Sequence, residues 1–219
     1  ILVSELRSAT RVLGFSDDPH STYVRGIPYL WAFDAAYYIS PSYSETMSFA
    51  DLFERVGFTK VRWMPLVLPH DYPVLAVEQI RNRSRSCCYV GNPTGSKFDR
   101  IRALKRFFGS GFEVYGRWPL RGYYGFVRPL IGETPFAKRV RSISKAEKEK
   151  LYLSTKIGFN MHVSDRPAEC GNMRTYESAG FGMMSICDRG ALNLQSTFFE
   201  EGREAVYYSD IEEACALIE

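Results

Sequence analysis

The stretch ECGNMRTYESAGFG, residues 169–182, sets two carboxylates, Glu169 and Glu177, around an asparagine and an arginine. Asn172 suits a helix N-cap, because its side-chain oxygen accepts from the first unpaired backbone N–H groups. Arg174 then falls in the first helical turn, and Glu177 lies three residues on, along the same face. Gly171 lets a ligand approach the backbone closely. Glu169 stands ahead of the cap, over the positive end of the helix dipole. A carboxylate accepts a pair of hydrogen bonds from a diol. Two carboxylates flanking a cationic helix start can hold a ribose at one end and a hexose at the other, with a diphosphate between. The plainer alternative makes Arg174 and Glu177 a surface i,i+3 pair worth roughly 0.3 kcal/mol, with Glu169 an exposed loop residue.

A second constellation lies earlier in the chain. The apolar run 86–92 ends in Gly91 and Asn92 and continues through Pro-Thr-Gly-Ser to Lys97, where a helix begins. A glycine-bearing turn that opens a helix presents backbone N–H groups and the positive end of the dipole, which together favour anions. Lys97 adds a mobile point charge suited to phosphate. The turn lacks the G-x-x-x-x-G-K-[ST] spacing of a P-loop.

The elements that must position these residues alternate between strand and helix. Strands are expected over 10–18, 33–40, 60–69, 86–92, 111–118, 156–162, 183–188 and 204–209. Helices are expected over 42–58, with Gly57 as its stop, over 96–110, over 137–154, and from Asn172 to the glycine after Glu177. The helix 96–110 carries Phe98, Ile101, Leu104, Phe107 and Phe108 on one stripe. Residues 126–136 read as irregular, and Ser209 with Glu212 fits a capping box for a closing helix. This alternation implies parallel sheets and an α/β fold. The more polar stretch 71–86 reads as a crossing between a domain at 1–80 and another at 81–219. Open sheets of this kind bind ligands beyond the carboxyl ends of their strands. The informative positions are therefore SDDPH (with Asp17, Asp18 and His20), GNPTGSK, GRWPL, the 160–174 loop and DRGAL.

A net charge of +3 over 219 residues gives no argument for nucleic acid. The basic runs RNRSRS (81–86) and KRVRSISKAEKEK (138–150) read as a solvated linker and a solvated helix face. An anionic substrate or membrane surface is the alternative partner for them. Cys87, Cys88, Cys170, Cys187 and Cys215 show no disulfide or zinc spacing and are expected to be buried free thiols. His20, His70 and His162 are scattered, and no apolar run reaches the length of a membrane span. The first residues, ILVSELRSA, lack Met and read as the tail of a helix, so the expectation is a fragment.

The spacing Glu169-x7-Glu177, followed by Ser-Ala-Gly-Phe-Gly and the strand MMSICD, resembles the E-x7-E segment of GT-B glycosyltransferases of the group 1, family 4-like type. The longer wording from KIGFNMH through EAVYYSDIEEACALI resembles the spore-maturation-type branch of that group, and YVGNPTGSK resembles its G-R-x4-K phosphate loop. Asn92 stands where arginine is common. The resemblance covers about 86–219 well and 10–70 loosely. It implies two Rossmann-type parallel sheets flanked by helices, a C-terminal domain largely complete and an N-terminal domain only partial. Under it Glu177 holds the nucleotide ribose, Glu169 the donor-sugar hydroxyls, and Lys97 the leaving diphosphate. Arg174 and the backbone at Gly171 and Asn172 assist, Arg174 compensates for Asn92, and Gly91 admits the donor.

The function so implied is a retaining, metal-independent transfer of a sugar from a nucleotide-diphosphate donor to a glycan, lipid-linked sugar or protein. No cofactor and no metal are expected, because helix N-termini, Lys97 and Arg174 supply positive charge. Acceptor groups and any catalytic histidine are expected upstream, and the cluster Asp17, Asp18 and His20 reads as a cap for the next element, with a cleft-facing role as the alternative. The expected location is cytoplasmic, with peripheral membrane association as the variant. The rival from another class is a non-catalytic module that binds nucleotide or sugar. An RNA- or membrane-associating domain using the two basic runs is a third reading.

Overall fold

The computed structural model describes residues 26–39, 46–64, 72, 74–92, 97–117, 140–162, 172–189 and 198–219, and the backbone of 12–15. The chain divides into two compact units. Among the described residues, those up to Met64 belong to the first, and those from Tyr72 on, apart from Asn172, to the second.

In the first unit, β1 (Val12–Phe15), β2 (Ala35–Tyr38) and β3 (Val61–Trp63) form a parallel sheet in that order. Helix α1 (Phe49–Arg55) opens with a capping box in which Ser48 accepts from the Asp51 amide and Asp51 accepts from the Ser48 amide. It ends before Gly57, whose φ of 73° is a left-handed conformation that glycine adopts without strain. Leu30, Ala36, Phe49, Leu52, Phe53 and Phe58 form the core.

The second unit carries α2 (Val77–Arg81), β4 (Arg85–Val90), α3 (Lys97–Phe108), β5 (Phe112–Tyr115), α4 (Lys145–Ser154), β6 (Thr155–Asn160), α5 (Met173–Gly180), β7 (Met184–Asp188), β8 (Ala205–Tyr208) and α6 (Ile211–Ile218). All five strands are parallel, in the order β5-β4-β6-β7-β8. Helices α3 and α6 touch each other. On the opposite side Tyr152 of α4 meets Phe181, just past α5, edge to face at 5.4 Å. The sheet is thus covered on both faces, which is why β4 is apolar in unbroken sequence from Cys87 to Val90. Cys87 and Tyr89 enter the cluster of Ile101, Leu104 and Ala214, while Cys88 enters that of Leu151, Tyr152 and Phe181. The expected α/β architecture with parallel sheets flanked by helices is what the chain adopts.

One close approach fixes α5 against the sheet. A Cβ on Gly158 would stand 2.3 Å from the Ser178 Oγ and 3.1 Å from the Met183 Cε, so only glycine admits the helix there.

Local expectations fail where packing overrides pattern. The segment read as a solvated linker contains Arg83, which is buried and donates to the carbonyls of Thr155, Phe181 and Gly182. The helix expected over 137–154 begins only at Lys145, because Ser144 and Glu147 close a capping box and 140–144 is not helical. The closing helix is capped by Asp210, which accepts from the Glu213 amide, rather than by Ser209 with Glu212. Phe107, placed on the apolar stripe, is exposed, whereas Ile101 and Leu104 are fully buried. Cys87, Cys88, Cys187 and Cys215 are free and buried, as expected. Asp17, Asp18, His20 and the stretch 126–136 lie outside the described residues.

Candidate functional site

The second sheet reverses its strand order between β4 and β6. The chain leaving β4 turns into α3 on one face, and the chain leaving β6 turns into α5 on the other. The carboxyl ends of these two strands are thus the topological switch point, the position where open α/β sheets bind ligands. Gly91 and Asn92 follow β4 there, and Met161 and His162 follow β6.

Arg174, the second residue of α5, reaches across this reversal. Its Nε donates to Asn160 Oδ1 at 2.9 Å, its Nη2 to the Met161 carbonyl at 3.2 Å, and its Nη1 to the Val90 carbonyl at 3.4 Å. Its guanidinium carbon lies 5.1 Å from the centre of the Tyr89 ring, within cation–π range. A Cβ on Gly91 would stand 2.5 Å from Arg174 Nη1 and 2.8 Å from the Tyr89 hydroxyl, so the missing side chain is the room the guanidinium uses. Asn160, fully buried, also donates through Nδ2 to Thr175 Oγ1 at 2.7 Å and to Cys187 Sγ at 3.2 Å. Its own carbonyl accepts from the Tyr208 hydroxyl.

The end of β7 is tied to the end of β6 by charge. The His162 amide donates to both Asp188 oxygens at 3.0 Å, and His162 Nδ1 lies 2.7 Å from Asp188 Oδ1. Arg100 of α3 adds a contact to Asp188 Oδ2 at 3.5 Å. Burial alone would push the His162 pKa down, but Cys187 and Asp188 beside it outweigh burial and raise it to about 10. Burial pushes the Cys187 thiol up, against the His162 charge and hydrogen bond beside it, which pull it down. Burial opposes the Asp188 charge as well, and the His162 hydrogen bonds more than offset it, so its carboxyl is held below the ordinary value. His162, Cys187 and Asp188 bring three metal-ligating atoms within 4.8 Å of one another. Those atoms bond to one another, to Asn160 and to Arg100, so the cluster is a hydrogen-bonded anchor between strand ends.

The other expected residues surround this frame. Lys97 is the first residue of α3 and is buried. Asn92 Oδ1 accepts from the Arg117 amide at 2.9 Å, joining the turns after β4 and β5. Asn172 directly precedes α5. Glu177 and Arg174 do not form the surface pair of the plainer reading. Glu177 accepts instead from Lys148 of α4 at 2.6 Å, with its side chain 11% exposed. Glu169 and Gly171 lie outside the described residues. Lys148, Tyr89, Asn160 and Asp188 were not singled out by sequence reasoning. Asp188 opens the flagged DRGAL and Asn160 the flagged loop, but nothing in the local pattern marks Lys148 or Tyr89.

Two outcomes follow from this geometry. Arg174→Lys keeps the charge but cannot span three acceptors, so urea denaturation should show a loss of about 2 kcal/mol. Unchanged stability would contradict the bracing role. The His162–Asp188 pair supports the fold fully up to pH 6.5, the ordinary histidine value, as long as Asp188 stays ionised, and that support fades as pH rises through about 10. Wild-type stability should thus fall between pH 7 and 10, and His162→Gln should flatten the fall. An equal alkaline slope in the variant would contradict the pairing.

The comparisons with known proteins bear on the family and the fold. The family described as glycosyl transferase-like matches residues 98–219. No curated protein matches the chain in sequence. Among solved structures, the chain is similar to HepE of Anabaena in complex with UDP and glucose, at 12% identity and a TM-score of 0.59, over 94% of this chain and 60% of that one. The same protein in complex with UDP-glucose matches at 10% identity and a TM-score of 0.54, over 95% and 68%. A glycosyltransferase of Rickettsia africae ESF-5 matches at 14% identity and a TM-score of 0.55, over 94% and 59%. The chain thus spans about 60% of the first of these structures. At such identities the likeness concerns the fold, which is the parallel α/β architecture of GT-B glycosyltransferases. The family match extends over more than half of the sequence, and the chain belongs to the glycosyl transferase-like family.

Proposed function

We propose that the chain provides the donor site of a glycosyltransferase that moves a sugar from a nucleoside-diphosphate sugar to a separate acceptor. The observation that carries this reading is the reversal of strand order between β4 and β6, the place where open α/β sheets bind ligands. Two helices, α3 and α5, begin beside it, with the buried Lys97 at the start of one and Glu177 in the second turn of the other. Helix N-termini and an ammonium group favour a diphosphate, and a carboxylate accepts from ribose hydroxyls. HepE of Anabaena, of similar fold, has been seen with UDP and glucose and with UDP-glucose.

In this reading Glu177 holds the ribose and Glu169 the hydroxyls of the transferred sugar. Lys97 takes up charge on the diphosphate as the glycosidic bond to it breaks. Gly91, Gly171 and Asn172 offer backbone to the donor, and Asn92 shapes the turn between them. Arg174 supports Lys97 with a fixed positive charge beside the strand ends. These charges stabilise the leaving diphosphate without a metal or cofactor, and the sugar keeps its anomeric configuration. Among the described residues no helix is long and apolar enough to cross a membrane, so a donor arriving from water is consistent with the chain.

Calorimetric titration of the protein with UDP, GDP, ADP, CDP and dTDP, with and without magnesium, tests the reading. One nucleotide should bind equally well in both conditions, and Glu177→Ala and Lys97→Ala should each weaken it about tenfold or more. If neither substitution changed donor affinity, the assignment would be wrong. Binding by an intact protein that transfers no sugar to any acceptor would mark it as a nucleotide-sugar-binding module.

A further inference from the structure

We propose that Lys148 and Glu177 act as one clamp that reads both hydroxyls of the donor ribose, so that the protein takes ribonucleotide donors and rejects their 2′-deoxy counterparts. The inference rests on the donor-site reading and adds Lys148 to it as a specificity-determining residue. Helices α4 and α5 each run into a strand of the same parallel sheet, so both begin at its carboxyl edge, where the switch point lies. They lie on one face, where Tyr152 meets Phe181. Lys148 is the fourth residue of α4 and Glu177 the fifth of α5, so each stands about one turn in from its helix start.

The pair is only partly wet, with side-chain exposures of 26% for Lys148 and 11% for Glu177. Removing two charges from water costs free energy that a single contact rarely repays, so stability alone gives little reason to keep it. The Lys148 ammonium lies 5.7 Å from the centre of the buried Tyr152 ring, which restricts where it can swing. It holds Glu177 by one oxygen, Oε1. Among the described residues no hydrogen bond to Oε2 is formed, and one contact uses one of the three ammonium donors.

A ribose hydroxyl both donates and accepts. A carboxylate alone can only accept, and would leave the hydroxyl lone pairs without a donor. With the ammonium beside it, one hydroxyl donates to Glu177 Oε2 while a lone pair of its neighbour accepts from Lys148. A 2′-deoxyribose supplies only half of this, and leaves a half-buried polar group without a partner. Sites built to bond a hydroxyl discriminate strongly against the analogue that lacks it.

The test is titration of the intact protein with UDP, GDP, ADP and CDP, each beside its 2′-deoxy form, in the wild type, Lys148→Met and Lys148→Arg. The nucleotide that binds should bind the wild type at least about tenfold more tightly as the ribo form. That ratio should collapse toward one in Lys148→Met and recover in part in Lys148→Arg. Lys148→Gln, which keeps one donor toward Glu177, is the second variant if methionine disturbs folding, and should show a reduced ratio. A ratio near one in the wild type, or an unchanged ratio in the variants, overturns the role of Lys148 and leaves the donor site standing. Binding of dTDP, titrated alongside, with none of the ribonucleotides bound overturns the clamp alone, and failure of every nucleotide, dTDP included, overturns the donor-site reading itself and the clamp with it.

Discussion

Arg174 ties together two strands exactly where the fold stops doing so. Between β4 and β6 the ladder of backbone hydrogen bonds ends and the two chains depart to opposite faces of the sheet. The carbonyls at these ends, on Val90 and Met161, are polar groups that need donors. One planar guanidinium meets both, rests on Tyr89 and is aimed by Asn160. Gly91 is glycine because the guanidinium occupies the space of its side chain. A lysine carries the same charge but lacks the flat, forked array of donors. The switch point is therefore braced by a residue that donates to two backbone carbonyls and to the Asn160 side chain.

The neighbouring strand end is held by different physics. Asp188 gathers the His162 amide and imidazole and the Arg100 guanidinium, so β6, β7 and α3 meet on one buried anion. Braced this way from both sides, the loops at the carboxyl edge have fixed points of departure. Lys97 at the start of α3 and the Lys148–Glu177 pair between α4 and α5 are then placed by helices rather than by loops. Precision of that kind is what binding a flexible diphosphate donor requires.

Much of this was legible in the sequence, and for identifiable reasons. Strands buried on both faces, such as Cys87 to Val90, read as unbroken apolar runs, and the alternation with helices fixed the parallel topology. The helix from Met173 and the turn after β4 were marked by glycine, asparagine and their spacing. What escaped depends on partner choice across the fold. Arg174 and Glu177 have ideal spacing for a mutual pair, yet packing hands one to the strand ends and the other to Lys148. Arg83 sits in a run that looks solvated, and only the buried carbonyls of Thr155, Phe181 and Gly182 explain it. Lys148 is one cation in a charged helix, and no local pattern says that it turns inward.

The most direct measurement is a crystal structure of the intact protein with its tightest-binding nucleoside diphosphate. The account predicts the diphosphate beyond the ends of β4 and β6, near the starts of α3 and α5, with the ribose against Glu177. A nucleotide bound elsewhere, with the switch point empty and Glu177 still engaged only by Lys148, would contradict it.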